Sequence, residues 1–315
     1  MREVEREFIF AKAPFAQCHA STLVELADRS LLAAWFGGSR EGSPDVAIWT
    51  ARRPAGATAW EAPRVAADVP GVPCWNPVLY RDAADVVWLF YKVAPTIPAW
   101  TGYYRRSTDG GVTWEAPVPL PAGLLGPIKN KPVALSNGEI LCPTSVESYG
   151  AWAAWVEVIG DGGARWQRFG PIGVPGEPYG IIQPTVWEST PGRLHLLARA
   201  TQRIGAICAA ISEDYGRTWS PAAPTPLPNP NSGIDAARLN DGRVLLCYNP
   251  TREGRTPLSL SLSTDNGATW SPPWHLETEP GEYSYPAVIQ TADGRAHITY
   301  THNRTRIAHV VVEIG

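Results

Sequence analysis

Ser263-Thr264-Asp265-Asn266-Gly267-Ala268-Thr269-Trp270 is an S-x-D-x-G-x-T-W string, and the chain carries it three times. The other copies are Ser107-Thr108-Asp109-Gly110-Gly111-Val112-Thr113-Trp114 and Ser212-Glu213-Asp214-Tyr215-Gly216-Arg217-Thr218-Trp219. Each reads as a tight turn between two strands. The Asp and Ser bond neighbouring backbone groups, the Gly takes a positive φ, and the Trp folds back as an apolar plug. Asp161-Gly162-Gly163-Ala164-Arg165-Trp166 keeps the Asp, Gly and Trp, and Ala57-Thr58-Ala59-Trp60 keeps little beyond the Trp. The tryptophans at 60, 114, 166, 219 and 270 are spaced by 54, 52, 53 and 51 residues. A period of that size marks an array of supersecondary units. Six units fill the 315 residues, the sixth without a turn motif. The expected fold is therefore all-β: a six-bladed β-propeller, one domain over residues 1–315. Its ring is expected to close by pairing the N-terminal Phe8-Ile9-Phe10 strand with the C-terminal strand Ile307 to Ile314.

Composition agrees. With 29 Gly, 31 Pro and 18% charged residues, many turns and short strands are expected, and no apolar run has helical spacing. A net charge of -3 argues against a generally basic nucleic-acid binder. Met1 to Glu7 is charged and lacks the apolar core of a secretory signal, and no stretch reaches the length of a membrane span. The five cysteines (18, 74, 142, 208 and 247) are odd in number and lack metal-type spacing. Reduced thiols in a cytoplasmic protein are the expectation. His297, His302 and His309 form no ligand-spaced set, so neither metal nor cofactor is expected. No nucleic-acid or membrane partner is expected either, and the oligomeric state stays open.

In each unit the first strand opens on a polar or aromatic residue: His19, Trp75-Asn76, Lys129 and Lys131, Gln183, Asp235, Tyr285. These openings are expected to converge on one mouth of the channel. The turn motifs then lie at the opposite rim, which makes their aspartates structural. Strand alternation would send one of Lys129 and Lys131 inward and the other out.

Repeated Asp boxes on a six-unit chain resemble the sialidase (neuraminidase) superfamily and its BNR-repeat proteins, and the resemblance covers the whole chain. That family places an Arg in an R-I-P-S-L-V-type strand ahead of the first turn. His19-Ala20-Ser21-Thr22-Leu23-Val24 fills that slot, nine residues before Asp28. The family's acid/base Asp follows an Arg in the next loop, which corresponds to Asp45 and Arg40. Its E-P-T strand corresponds to Gln183-Pro184-Thr185, and its second Arg to Arg199, 16 residues on. Arg255-Thr256-Pro257-Leu258, just before Ser263, matches the third Arg. Tyr285, nine residues before Gly294, matches the nucleophilic Tyr, with Tyr283 as a rival.

The resemblance implies an exo-glycosidase of sialidase type acting on the carboxylate-bearing sugar of an acidic glycan. Arg199 and Arg255 would clamp that carboxylate through charge-assisted hydrogen bonds. The two departures bear on chemistry. His19 stands where the family has an Arg. Gln183 stands where a Glu would take the proton of the Tyr, a proton Gln cannot accept. His19, Glu147 and Asp235 remain open as the base. Trp75 is a candidate to stack on a sugar face, and Asn76, Lys131 and Asp235 are candidates to contact polar groups. Two other readings stay in play. One is a polysaccharide lyase, in which His19 or Tyr285 takes the proton alpha to a uronate carboxylate. The other is a non-catalytic carbohydrate-binding propeller. Structural roles compete at each position: Asp45 as a loop cap, His19 as a core histidine, and Tyr285 and Trp75 as plain packing.

Overall fold

A computed structural model describes residues 1–315. The N-terminal strand is β1 (Arg2–Phe8). Blade one follows as β2 (Gln17–Glu25), β3 (Leu31–Gly38), β4 (Ala47–Arg53) and β5 (Arg64–Ala67). Blade two is β6 (Cys74–Arg81), β7 (Val87–Val93), β8 (Thr101–Ser107) and β9 (Val118–Pro119). Blade three is β10 (Val133–Ala134), β11 (Ile140–Glu147), β12 (Trp152–Gly160) and β13 (Arg165–Ile172). Blade four is β14 (Ile181–Thr190), β15 (Arg193–Ala200), β16 (Ala206–Ser212) and β17 (Ala223–Pro228). Blade five is β18 (Asp235–Arg238), β19 (Val244–Tyr248), β20 (Leu258–Ser263) and β21 (Trp274–Glu277). β22 (Tyr283–Gln290), β23 (Ala296–His302) and β24 (Arg306–Glu313) begin blade six, and β1 completes it. Six antiparallel meanders of four strands make this an all-β six-bladed β-propeller. No helix is long and apolar enough to cross a membrane, and all five cysteines are free and buried.

The repeat pattern follows from this topology. The Asp boxes join the third strand of a blade to its fourth. Blade six takes its fourth strand from the N-terminus, so it has no such turn and no motif. β1 pairs antiparallel with β24 from Arg2↔Glu313 to Phe8↔Ala308. The strand thus lies earlier than Phe8 to Phe10. Ile9 continues it with one bond to the Ile307 carbonyl (3.0 Å), and Phe10 turns into the core against Trp35. Arg2 to Glu7 pairs despite its charges because the glutamates on its half-buried side are bonded, Glu5 to Arg53 and Glu7 to Arg53, Trp60 and His309.

Within each box the hydrogen bonds are local. Ser263 Oγ donates to Asp265 Oδ1 (2.8 Å) and accepts from Gly267 N (2.8 Å). Asp265 accepts from Thr269 N and Oγ1 (2.8 and 2.6 Å). Trp270 Nε1 donates to the Gly267 carbonyl (3.1 Å). The other two full copies repeat the Ser–Asp–Gly–Thr bonds. Gly111, at φ 85°, shows why the position must be Gly: a Cβ there would sit 2.6 Å from Leu32.

The sheets fall into two compact units. Residues 1–128 with 285–315 carry blades one and two and nearly all of blade six; residues 129–284 carry blades three to five. In the first, Leu32, Phe36, Ile48, Leu79, Leu89 and Tyr285 share one buried cluster, and Ile9, Phe10, Trp35 and Ile307 share another. In the second, Leu141, Val156, Val186, Leu194 and Leu196 join blades three and four, and Trp187, Ile207, Leu246 and Tyr248 join blades four and five. The opening of blade three departs from expectation. Lys129 to Pro132 is irregular, and the paired strand is only Val133–Ala134.

Candidate functional site

The candidate residues sit on a recurring distortion of the first strand. Register skips between His19 and Thr22 in blade one, Trp75 and Val78 in blade two, and Ile182 and Thr185 in blade four. At these skips Ala20 (59°), Asn76 (35°) and Gln183 (52°) take a left-handed φ, and Tyr285 (53°) does so in β22. Bulges re-aim side chains. A non-glycine residue held in this region costs about 1–3 kcal/mol, and such residues cluster at functional sites. Pro77, Pro184 and Pro286 follow three of these residues, and a bulge tolerates their missing N–H. Three of the candidates named from sequence are thus the strained residues themselves.

In the first unit, His19 is buried and its Nδ1 lies 2.9 Å from Thr301 Oγ1. Its ring centroid is 4.0 Å from that of Tyr285, at 49°. Asp45 is exposed. Ser39 N and Ser39 Oγ each donate to its carboxylate at 2.8 Å. The Ser39 hydroxyl, with help from the backbone N–H, holds the Asp45 carboxyl below the usual range. In this conformation Asp45 closes its own loop as an ionised group. Arg40, in the same loop, is exposed, and its guanidinium has no hydrogen bond or ion pair. Trp75 is buried rather than open for stacking: Nε1 donates to the Ala94 carbonyl (2.8 Å), and the ring lies 5.8 Å from Trp100. Gly42 lets the Asp45 loop rest on it, since a Cβ there would come within 3.1 Å of the Trp75 ring. Asn76 is buried beside Trp75.

In the second unit, Arg199 ends β15 and is buried. Nη1 donates to Gln183 Oε1 (3.0 Å), and Nε and Nη2 donate to Asn231 Oδ1 (3.0 and 2.7 Å). These two amides orient the guanidinium. Gln183 is fixed in turn, because Asn130 Nδ2 donates to its carbonyl (3.1 Å) and its N–H donates to Ser145 Oγ (3.1 Å). Arg255 Nη1 donates to Glu282 Oε1 (2.7 Å) and Ser284 Oγ (3.2 Å). Asp235 is committed to structure. Lys131 Nζ donates to both its oxygens (3.0 and 2.9 Å), and Thr185 Oγ1 (3.0 Å) and Ala236 N (2.9 Å) donate to it as well.

The two lysines do not alternate. Lys129 Nζ donates to the Ile234 carbonyl (2.8 Å) and Lys131 Nζ to the Ala236 carbonyl (2.8 Å), so both reach toward blade five. Outside a regular strand nothing enforces alternation. Burial brings the Lys129 ammonium down to about 7, with the Asp235 charge opposing. Sequence reasoning missed Asn231, Glu282, Thr301 and Ser39. Glu282, two residues ahead of Ser284, is the one whose proximity to the Tyr285 strand could have flagged it.

A sialidase from Bacteroides fragilis is 28% identical over 193 residues, covering 56% of this chain and 34% of that protein. The chain thus spans about a third of the length of that curated relative. A Dyadobacter fermentans protein of unknown function has a TM-score of 0.84 at 20% identity, covering 100% of this chain and 99% of its own. The Hadza microbial sialidase has a TM-score of 0.81 at 19% identity, covering 95% of this chain and 66% of its own. At those identities the structural likeness shows the propeller fold. The model of the BNR repeat-like domain family matches residues 29–298, and the chain belongs to that family, within the sialidase superfamily.

Proposed function

We propose that the chain is a sialidase-like glycosidase that removes a carboxylate-bearing sugar from the end of an acidic glycan. The observation that carries this reading is the His19–Tyr285 pair, ring centroids 4.0 Å apart. It returns a base to the neighbourhood of the tyrosine that Gln183 cannot serve. In the tautomer whose Nδ1–H donates to Thr301, His19 Nε2 carries the lone pair that can accept a proton. Tyr285 Oη attacks the anomeric carbon as its proton passes to His19, and the bond to the leaving oxygen breaks. Water then hydrolyses the tyrosyl adduct, a route outside the paired-carboxylate pattern of most glycosidases. Arg199 supports the acidic substrate class, because Gln183 and Asn231 hold its guanidinium in a fixed orientation, the geometry in which a guanidinium binds a carboxylate by charge-assisted hydrogen bonds. At Arg255 the substrate carboxylate joins or displaces Glu282. Asp45, as proton donor to the leaving group, has to leave Ser39 and gain a proton.

The test is a panel of aryl glycosides of sialic acid, other 2-keto-acid sugars, uronic acids and neutral hexoses. Turnover confined to acidic glycosides supports the reading. An unsaturated product absorbing as a conjugated enoate would instead mean a lyase. The commitment of Asp45 to Ser39 favours one second reading, a non-catalytic carbohydrate-binding propeller, for which acidic sugars bind and none turns over.

A further inference from the structure

A cavity of about 630 Å³, with both polar and apolar lining, lies entirely within the first unit, at the turn end of blades one and six. Its volume is in the range of small-molecule sites. Glu25 ends β2 six residues after His19, so the cavity is about 20 Å from the His19–Tyr285 pair at strand rise. One wall is preformed: Arg53 Nε donates to the Ala57 carbonyl (3.0 Å), Ala57 N to the Pro54 carbonyl (3.0 Å) and Ala55 N to Ser30 Oγ (3.2 Å). Another is the turn carrying Ala292 and Asp293, where Ala292 N donates to Glu25 Oε2 (3.0 Å).

His297 lines this cavity, and a buried hydrogen-bonded chain stands behind it. His297 Nδ1 lies 3.0 Å from His309 Nε2, and His309 Nδ1 lies 2.9 Å from Glu7 Oε1. The same Glu7 oxygen accepts from Trp60 Nε1 and Arg53 Nη1 (both 2.8 Å). Burial alone would raise the Glu7 pKa, but the bonds from His309 and Trp60 outweigh it and keep the carboxyl ionised. An ionised Glu7 is an acceptor, so His309 carries its proton on Nδ1 and receives one at Nε2 when both imidazoles are neutral. His297 then carries its proton on Nδ1, which leaves the Nε2 lone pair as the ring's remaining polar atom. Burial, with His309 beside it, brings His297 down to about 3, so the ring is neutral at physiological pH.

The charges around the cavity are already paired. Arg53 is bound to Glu5 and Glu7 (2.6 and 2.8 Å), Arg29 is 3.6 Å from Glu25, and Asp293 is 3.8 Å from Arg295. A charged ligand would have to break one of these pairs. A hydroxyl both donates and accepts, so vicinal hydroxyls can bridge an Arg–carboxylate pair without separating it. We propose that this cavity is a binding site for a neutral, polyhydroxylated sugar ring. One hydroxyl donates to His297 Nε2 and a vicinal pair engages Arg29 and Glu25. This goes beyond the glycosidase reading and does not rest on it.

The test is calorimetric or NMR titration of the intact chain with lactose and maltose, with ethanolamine and inorganic phosphate as charged comparators. The expected result is saturable binding of a neutral disaccharide. Ala292→Trp, at an exposed wall position, should weaken it at least tenfold, and Arg29→Met several-fold. Tyr285→Phe should leave it unchanged, which separates this cavity from the proposed catalytic residues. The proposal is overturned if neither sugar saturates, if a charged comparator binds instead, or if Ala292→Trp binds as tightly as the unaltered chain.

Discussion

Asp235 was a candidate to touch substrate, and the structure gives it another task that mutation can separate cleanly. Its carboxylate is 1% exposed and receives Lys131 Nζ on both oxygens, the Thr185 hydroxyl and the Ala236 N–H. Removing one partner of a buried ion pair costs about 3–5 kcal/mol. Lys131 retains 25% side-chain exposure and can turn partly to water, which argues for the low end. The Thr185 and Ala236 donors add little, because Ala236 N also donates to Thr185 Oγ1 (3.2 Å) and that hydroxyl also reaches the Ala236 carbonyl (3.3 Å). We therefore expect Asp235→Ala to destabilise by about 3 kcal/mol. At the roughly 2–4 °C per kcal/mol of larger domains, melting should fall by about 6–12 °C. Lys129 is also affected, because Asp235 is the charge that opposes its desolvation. Scanning calorimetry reads the loss, and Asp235→Leu with Lys131→Met should recover most of it, since an apolar pair replaces both charges. An Asp235→Ala protein that melts like the parent yet no longer binds acidic sugars would refute the structural assignment.

Three further outcomes follow from the same geometry. Deleting residues 1–8 strips β24 of its outer partner and should lower the melting temperature; an unchanged melt would contradict the pairing of β1 with β24. Arg199→Ala should weaken binding of every acidic sugar by roughly 2–5 kcal/mol, and equal loss on neutral sugars would point to a collapsed site instead. In the Asp boxes, burial pushes the Asp109 carboxyl up, but bonds from Thr113 and Ser107 outweigh it and bring it to about 2. For Asp265 the Thr269 hydroxyl leads, also to about 2. These folded values lie below the unfolded one, so their stability is full above about pH 4 and is lost as pH falls toward 2. Asp109→Asn should flatten that acid limb, and an unaltered limb would assign it to other carboxylates.

Legibility followed the range of the interactions. The Asp boxes are closed by bonds spanning four residues or fewer, as in Ser212 to Gly216, and so they announced the repeat and the fold. β1 was only partly legible, because an outer strand with Arg and Glu on alternate positions lacks the apolar alternation that marks a half-buried strand. The opening of blade three misled, since Pro132 and two lysines committed to blade five prevent a regular strand there. At the candidate site the residue types were legible, but their partners were not. Asn231 meets Arg199 across 32 residues, Thr301 meets His19 across 282, and Glu7 meets His309 across 302. Nor does local sequence show that Ser39 would hold Asp45 ionised. That follows from how the loop over Trp75 folds.

If Asp45 nevertheless donates the leaving-group proton, its lowered pKa fixes the sign of the pH effect: turnover of unactivated glycosides should rise as pH falls below neutral, while activated aryl glycosides change little. The role of Tyr285 is the most direct test of the catalytic account. The measurement is mass spectrometry of the Tyr285 peptide after an acid quench of the enzyme turning over an acidic aryl glycoside. The account predicts a mass increase of one sugar residue on Tyr285, absent in Tyr285→Phe along with nearly all turnover. Turnover that persists in Tyr285→Phe, or an adduct on any other residue, would contradict it.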